Sequence, residues 1–214
     1  MNRFDQPRRV LAIAIAFLAG FVDALGFVSA DRYFVSFMSG NTTRLAVDLA
    51  TEPQRAYVPA LLILGFVAGV AGGKVATARA GVWRKPFLLA LVALLLTFAA
   101  ILYSARMSGA ALGAMVLAMG AVNNSFQRDG EVAVGLTYMT GALVRIGQDI
   151  GSALMGQRQT GTGAYLLLWC GLFGGAISGA LLFVRLGGWA LWFSVALAAA
   201  LAAAAWQLIV HERR

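Results

Sequence analysis

Long apolar runs with almost no charged residues dominate the pattern of hydrophobic and polar positions along the chain. A helix needs about 20 residues to cross about 30 Å of hydrocarbon. Five runs approach or exceed this length, and a sixth, near the start, is apolar apart from Asp23. The six predicted spans are residues 10–30, 56–73, 86–104, 107–127, 159–184 and 186–210. In the last span, Trp189 and Trp192 lie near one end and Trp206 near the other, at the spacing of two interfacial aromatic belts.

Two further apolar segments, residues 33–50 and 133–154, contain too many polar residues to be simple spans. In the first, an aromatic and β-branched stretch predicts a strand-like piece over residues 33–38. Ser39 and Gly40 favour a turn and helix capping. Residues 42–50 then predict a helix of about 14 Å, roughly half the hydrocarbon thickness. The second segment is expected to have the same broken, strand and half-helix form.

The two broken segments belong to an internal repeat. Residues 37–49 align without gaps on residues 138–150, with an aromatic residue, Met, a hydroxyl residue, Gly, Arg and Asp in the same order. Upstream, residues 20–24 match residues 120–124. Downstream, both copies carry glycines at four-residue spacing, expected to pack closely against the broken segments: Gly65, Gly69, Gly73 and Gly171, Gly175, Gly179. The chain is therefore predicted to be a duplication, with residues 1–105 as the first repeat and 106–214 as the second.

The distribution of Lys and Arg favours one topology. With a cytoplasmic N-terminus and two re-entrant broken segments, eleven basic residues lie inside: Arg3, Arg8, Arg9, Lys74, Arg79, Arg84, Lys85, Arg128, Arg158, Arg213 and Arg214. Four lie outside: Arg32, Arg55, Arg106 and Arg185. If both segments crossed, the count would be eight against seven, so the positive-inside rule favours re-entry. Three crossings per repeat invert the second copy. The predicted fold is an all-α membrane protein with six transmembrane helices and two re-entrant segments in inverted-topology repeats.

The beginnings of the two short helices form the predicted solute site. Irregular backbone at membrane depth must face protein or a water-filled cavity. Two helix N-termini that meet near the midplane concentrate N–H groups and positive dipole ends, which favour an anion. The predicted substrate-binding residues are Ser39, Gly40, Asn41, Thr42, Arg44, Thr140, Gly141, Arg145, Asn123 and Asn124.

The charged residues of this region also have a structural interpretation. Arg44 and Asp48 lie four residues apart, as do Arg145 and Asp149, so Asp48 and Asp149 are predicted to form structural ion pairs. Asp23 is a candidate proton-coupling residue, because a carboxylate in a membrane helix is costly and is a functional-site hypothesis by default. A buried salt bridge from Asp23 to Arg44 or Arg145 is the alternative.

The neutral counterpart of Asp23 in the second repeat is Asn123, so the symmetry of the repeats is broken there. Asn123 and Asn124 suit hydrogen bonds between helices or to a solute. Val28-Ser29-Ala30 resembles a signal-peptide cleavage site. Asp23 and the mid-chain second copy favour a permanent helix instead.

Composition agrees with lipid as part of the solvent. The chain is 60% hydrophobic and only 12% charged, whereas soluble domains are about 25% charged. Its net charge of +8 is explained by cytoplasmic loops, and nucleic-acid binding is not expected, because the basic residues lie beside apolar spans. With Cys170 and His211 as the only cysteine and histidine, no disulfide, metal site or His-based triad is expected, and no cofactor motif is visible.

The run Gly20-Phe-Val-Asp-Ala-Leu-Gly-Phe, followed by Phe-Met-Ser-Gly-Asn-Thr at 37–42 and Tyr-Met-Thr-Gly at 138–141, resembles the YoaK-like family of bacterial membrane proteins. The resemblance covers nearly the whole chain. It implies a bacterial inner-membrane protein of about six spans and of unknown function, without a substrate or catalytic residues. The uracil and sulfate transporters, with paired strand and half-helix elements, are a looser architectural analogy.

Three classes of function follow from these features. The broken segments and the predicted inversion favour a transporter or facilitator for a small anionic or polar solute, with a passive channel as the closest alternative. A structural or partner-binding membrane subunit is the second class. An enzyme is not expected, because no nucleophile and base constellation is visible. Besides lipid and solute, a homodimer is compatible with so small a membrane body, and both termini are predicted to be cytoplasmic.

Overall fold

The computed structural model of the chain describes residues 6–30, 32–125, 127–128, 131–132, 139–157 and 162–213. These residues are helical apart from loops and one antiparallel ladder of two-residue strands, Gln127–Arg128 with Glu131–Val132. The helices are α1 Gln6–Ser29, α2 Met38–Thr51, α3 Tyr57–Ala76, α4 Arg84–Ser104, α5 Ser108–Val122, α6 Met139–Leu154, α7 Thr162–Leu186 and α8 Ala190–Glu212. Short 3₁₀ turns at Pro53–Arg55, Gly81–Trp83, Asn123–Ser125 and Gly187–Trp189 connect several of them.

The outer surface is apolar, as expected for a protein solvated by lipid. Large hydrophobic side chains such as Leu64 in α3, Phe98 in α4 and Val184 in α7 are more than half exposed. Contiguous exposed apolar surface of this kind marks a membrane or protein contact. Among the described residues, four helical stretches are long and apolar enough to cross a bilayer: Gln6–Ser29, Pro53–Ala76, Gly81–Ser104 and Gly163–His211. The chain is a transmembrane protein.

These stretches agree with most of the spans predicted from sequence. The last stretch contains two consecutive helices, α7 and α8. The predicted span 107–127 is shorter than expected, because α5 has 15 residues and gives way to a 3₁₀ turn at Asn123. The count of six crossings therefore stays a prediction.

Two parallel helix pairs form the centre of the molecule. In α7, Gly171, Gly175 and Gly179 lie against the backbone of α1 at Ile13, Phe17 and Phe21. In α3, Gly69 and Gly73 lie against α5 at Leu117 and Ala121 in the same manner. The close approach predicted for the glycine rows is confirmed. Their expected partner is wrong, since these glycines contact α1 and α5, whereas α2 and α6 lie elsewhere on α3 and α7.

Helices α4 and α8 pack along each other and close the bundle. At one end, the rings of Trp83 and Trp206 lie 4.2 Å apart. At the other end, Gly188 lies against the ring of Tyr103. The beginning of α4 thus lies beside the end of α8, and the end of α4 lies beside the beginning of α8, so the two helices are antiparallel. The core between the helices is apolar and tightly closed, with Leu88, Leu96, Met115 and Leu191 almost fully buried.

The short helices α2 and α6 lie at the periphery. Their 14 and 16 residues give lengths of about 21 and 24 Å, less than the thickness of the hydrocarbon core. The helix predicted over residues 42–50 begins earlier, at Met38, with Phe37 as its N-cap and without a side-chain cap. Ser39 and Gly40 therefore lie in its first turn, and the predicted turn and cap at these two residues are wrong. Residues 33–37 are an irregular connection that pairs with no strand among the described residues.

Candidate functional site

The irregular connection between α1 and α2 is held in place by Asp23. One oxygen of its carboxylate, Oδ1, accepts the backbone N–H groups of Val35 at 2.9 Å and Ser36 at 2.8 Å. The charge of Asp23 thus satisfies backbone donors that a non-helical segment leaves without helical partners.

Asn41 holds the same connection from the other side. Its side chain is fully buried. Its Nδ2 donates to the Phe34 carbonyl at 2.7 Å, and its Oδ1 accepts the Phe34 N–H at 3.2 Å. The amide therefore pairs with both backbone groups of one residue, as a hydrogen-bonded residue on a neighbouring antiparallel strand would. The Asn41 side chain is therefore bonded to the backbone of Phe34. These hydrogen bonds take the place of its predicted contact with a solute.

The beginning of α2 is more fully paired than a bare helix N-terminus. The N–H groups of Gly40 and Asn41 both donate to the Phe37 carbonyl, at 3.1 and 3.3 Å. The rings of Phe34 and Phe37 lie over Gly40, where any side chain larger than hydrogen would meet them. Some of the backbone N–H groups predicted to be free at the N-terminus of α2 are therefore already hydrogen-bonded, although the dipole of the helix remains.

Arg44 turns back towards the connection. Its Nη1 donates to the Arg32 carbonyl at 3.3 Å, and its guanidinium lies 4.3 Å from the centre of the Tyr33 ring. The predicted ion pair between Arg44 and Asp48 is wrong. Asp48 Oδ2 is buried and has no hydrogen-bond partner among the described residues.

The remaining predicted residues of α2 face outward. Ser39 and Thr42 are exposed, and the Thr42 hydroxyl donates to the Met38 carbonyl of its own helix at 2.8 Å. Thr43 does the same to Ser39 at 3.2 Å. The exposed side of this half-length helix therefore carries hydroxyl groups that can still accept a hydrogen bond.

In the second half, the predicted ion pair is present. Arg145 Nε lies 3.6 Å from Oδ1 of Asp149, which is buried, whereas about half of the Arg145 side chain is exposed. Thr140 and Gly141 are exposed in the first turn of α6. The predicted strand-like piece of this copy falls on residues 133–138, outside the described residues.

Asn124 forms a hydrogen bond between helices, as one of the two predicted alternatives had it, whereas the Asn123 bond described next stays within its own helix. Asn123 Nδ2 donates to Met119 of its own helix at 2.8 Å. Asn124 Nδ2 donates to Val70 of α3 at 2.9 Å and thereby joins α5 to α3. The predicted salt bridge from Asp23 to Arg44 or Arg145 is not among the ion pairs of the described residues.

Sequence reasoning therefore found the polar residues around α2 and missed what they bind. Asp23, Asn41 and Arg44 converge on the backbone of residues 32–36. Ser36 and Tyr33 belong to this cluster and were not predicted. The available signal was the aromatic segment 33–37, which follows the helix that contains Asp23. An extended segment beside a membrane carboxylate needs a partner for its N–H groups. No group of metal-ligating side chains occurs in the described part of the chain.

Together, the long apolar helices, the lipid-facing surface and the broken helix define a multi-pass membrane protein. Residues 11–204 match the family described as Protein of unknown function (DUF1275), and the chain belongs to this family. The UPF0700 transmembrane protein RA0705 of Rhizobium meliloti (strain 1021) is 41% identical over 199 residues, covering 92% of this chain and 86% of the relative. No solved structure matches the chain significantly. The resemblance to the YoaK-like family of unknown function is confirmed.

Proposed function

We propose that the protein is a transporter or facilitator for a small anionic or polar solute in the bacterial inner membrane. The observation that carries the proposal is the irregular connection, residues 33–37, between α1 and α2. Asp23 lies six residues before the end of α1, which is about 9 Å along the helix. Non-helical backbone is bonded to it at this depth. Such backbone is tolerated in membranes where it is buried in protein or lines a water-filled cavity.

Helix directions support re-entry of α2 and α6. The end of α1, at Gly26, lies beside Leu112 near the beginning of α5. Because α3 runs parallel to α5, α3 would begin on the side where α1 ends. Helix α2, which lies between them in the chain, would then enter and leave by that side. The same reasoning applied to α5, α6 and α7 brings α6 back to the opposite side.

These directions also support inverted repeats with both termini on one side of the membrane, and the positive-inside rule favours the cytoplasmic side for them. α1 packs on α7 as α5 packs on α3, and α2 packs on α3 as α6 packs on α7. Each contact has its counterpart when residues 1–105 are exchanged with residues 106–214. Secondary transporters with this symmetry hold their solutes at broken helices between the repeats.

The chemistry of the broken helices favours an anion or a polar solute. The guanidinium of Arg44 lies against Arg32 and Tyr33 of the connection that leads into the positive dipole end of α2. Arg44 contacts a carbonyl and an aromatic face, which leaves its positive charge uncompensated by a described carboxylate. Arg145 is half exposed beside its ion pair. The Thr42 and Thr43 hydroxyl groups on the exposed side of α2 donate within the helix and can therefore accept hydrogen bonds from the N–H or O–H groups of a polar solute.

Anion flux through reconstituted protein tests the proposal. We expect that formate, nitrate, sulfate or phosphate gives transient currents in proteoliposomes on a solid-supported membrane. Arg44→Gln should reduce these currents about ten-fold or more, because a charged hydrogen-bonding group contributes roughly 1.5–3 kcal/mol. The readout is the peak current at equal protein content.

Arg55→Gln is the matched control. Arg55 is exposed, lies beyond the other end of α2 and pairs with Glu52 at 3.0 Å, so its loss should leave the currents within two-fold. Folded protein that passes none of the anions by current, and no neutral urea by light scattering of the vesicles, would contradict transport. An equal loss in both variants would contradict the placement of the site.

Cysteine labelling tests the two re-entrant helices. In a Cys170→Ser background, Thr43→Cys in α2 should react with a membrane-impermeant maleimide added to intact cells stripped of their outer membrane. Thr140→Cys in α6 should react only after the inner membrane is opened. Both positions are exposed, so access to reagent and not burial decides the result. Labelling of both from the same side would refute the inverted arrangement.

A further inference from the structure

A groove runs along the seam where α4 packs on α8. It consists of two adjacent cavities of about 490 and 370 Å³, which share Phe87 and Trp206. The first cavity lies at the connection between α3 and α4 and is also lined by Ala76, Arg79, Ala80 and Trp83. The second lies further along the seam and is also lined by Pro86, Ala90, Ala202 and Ala203. The two cavities together are called the α4–α8 groove below.

The groove exists because small side chains follow large ones along the seam. The alanines of the second cavity fill little space between the helices, whereas the rings of Phe87 and Trp206 line the same cavity. The Trp206 ring also packs on that of Trp83, at 4.2 Å between centres. Phe87 and Trp206 are 61% and 52% exposed. The groove therefore opens to whatever surrounds the membrane helices.

The groove extends from the level of lipid head groups into the hydrocarbon. Arg79 lies in the basic connection before α4, on the side that the positive-inside rule assigns to the cytoplasm. Ala90 lies six residues after the beginning of α4, and Ala202 lies ten residues before the end of α8. These separations correspond to about 9 and 15 Å along the helices. Trp83 and Trp206 lie between these two levels, as interfacial tryptophans do.

The lining of the groove selects a lipid as its occupant. The second cavity is almost entirely apolar, so water has hardly any hydrogen-bond partners there. A void in this position would lose dispersion contacts that an acyl chain supplies. At the other end, Arg79 is exposed and forms no ion pair or hydrogen bond with the described residues. Its positive charge is complementary to the phosphate that a phospholipid carries at this level.

We propose that the α4–α8 groove binds one phospholipid, with part of an acyl chain along Ala90, Ala202 and Ala203 and the phosphate against Arg79. Exchange of one lipid for another in the groove brings no hydrophobic gain, so van der Waals fit and charge decide which lipid stays. The guanidinium of Arg79 matches phosphate oxygens in geometry and charge. This lipid site shares no residue with the cluster around Asp23 and does not depend on the proposed transport.

Native mass spectrometry of the full chain in detergent tests the proposal. The protein is titrated with phosphatidylglycerol and, as an analogue without phosphate, with diacylglycerol of the same chain length. We expect one saturable lipid adduct on the monomer and tighter binding of phosphatidylglycerol than of diacylglycerol. No saturable adduct, or equal binding of the two lipids, would overturn the proposal. A dimer that excludes both lipids would also overturn it, because a second copy would then cover the groove.

Two substitutions in α8 test the position of the acyl chain. Ala203→Leu places a larger side chain in the groove and should weaken binding of phosphatidylglycerol about five-fold or more. Ala199→Leu is the matched control, because Ala199 is exposed on the same helix and lies outside the lining. It should change binding less than about two-fold. Equal weakening by the two variants would place the lipid elsewhere and overturn the proposal.

Two further substitutions test the contact with the phosphate. Arg79→Gln should weaken binding of phosphatidylglycerol about three-fold or more and leave binding of diacylglycerol unchanged. Lys74→Gln removes a charge from an exposed residue at the end of α3, outside the lining of the groove. Its effect on either lipid should be less than about two-fold. Equal weakening by Lys74→Gln would indicate a diffuse charge effect and overturn the assignment of the phosphate to Arg79.

Discussion

Asp23→Ala is expected to destabilise the protein by about 2–5 kcal/mol. The substitution leaves the N–H groups of Val35 and Ser36 without their acceptor, and each buried donor without a partner costs roughly 1–3 kcal/mol. Loss of both bonds should also free the connection that positions α2. The expected result is a lower Tm in nanodiscs, measured by tryptophan fluorescence, together with increased proteolysis between α1 and α2.

Asp23→Asn is the control that separates structure from proton coupling. Its amide oxygen still accepts the two N–H groups, so the loss of stability should be less than half of that in the alanine variant. If Asp23 also couples protons, flux in the asparagine variant should no longer respond to a pH gradient. A response equal to that of the unchanged protein would remove the coupling role. Stability of Asp23→Ala equal to that of the parent would contradict the bonding described for residues 35 and 36.

Gly175→Ala is expected to be among the most damaging single-methyl substitutions at the described glycines. A Cβ at Gly175 would overlap the Phe17 carbonyl oxygen on α1, and backbone cannot move aside as a flexible side chain can. Overpacking typically costs 1–3 kcal/mol, and we expect about 3 kcal/mol or more here because the two helices must separate. Thermal unfolding and the yield of monodisperse protein in detergent measure the effect.

The neighbouring Gly174→Ala is a matched control. Its Cβ would lie 3.8 Å from the nearest atom of the Phe17 ring, at ordinary contact distance. Alanine also favours a helix over glycine by about 1 kcal/mol, so this variant should be neutral or slightly more stable. Similar Tm values for the two variants would show that the contact between α1 and α7 is looser than described.

Helix length and apolar surface were predictable from sequence because they depend on local composition. The spans 10–30 and 86–104 begin and end within four residues of α1 and α4. The end of α5 was not predictable from hydropathy. Asn123 and Asn124 return hydrogen bonds to the carbonyls of Met119 and Ala121, and such local bonds compete with continuation of a helix.

The contacts of Arg44 show where spacing rules fail. A separation of four residues correctly predicted the pair of Arg145 with Asp149. The same separation failed for Arg44, because the Arg32 carbonyl and the Tyr33 ring lie within its reach. Those partners depend on how the irregular connection folds back on α1, which is decided by Asp23 and Asn41. Residue spacing along one helix cannot predict contacts with a connection that folds back from another part of the chain.

The pairing of α1 with α7 has a consequence for biosynthesis. α1 is synthesised before α7, the helix that covers its Phe17 and Phe21 backbone, and five described helices lie between them in the chain. Until then the face of α1 that receives Gly171, Gly175 and Gly179 is exposed to lipid. Residues 1–105 therefore lack the main packing partner of α1 until α7 is made, and the bundle closes when α7 and α8 insert.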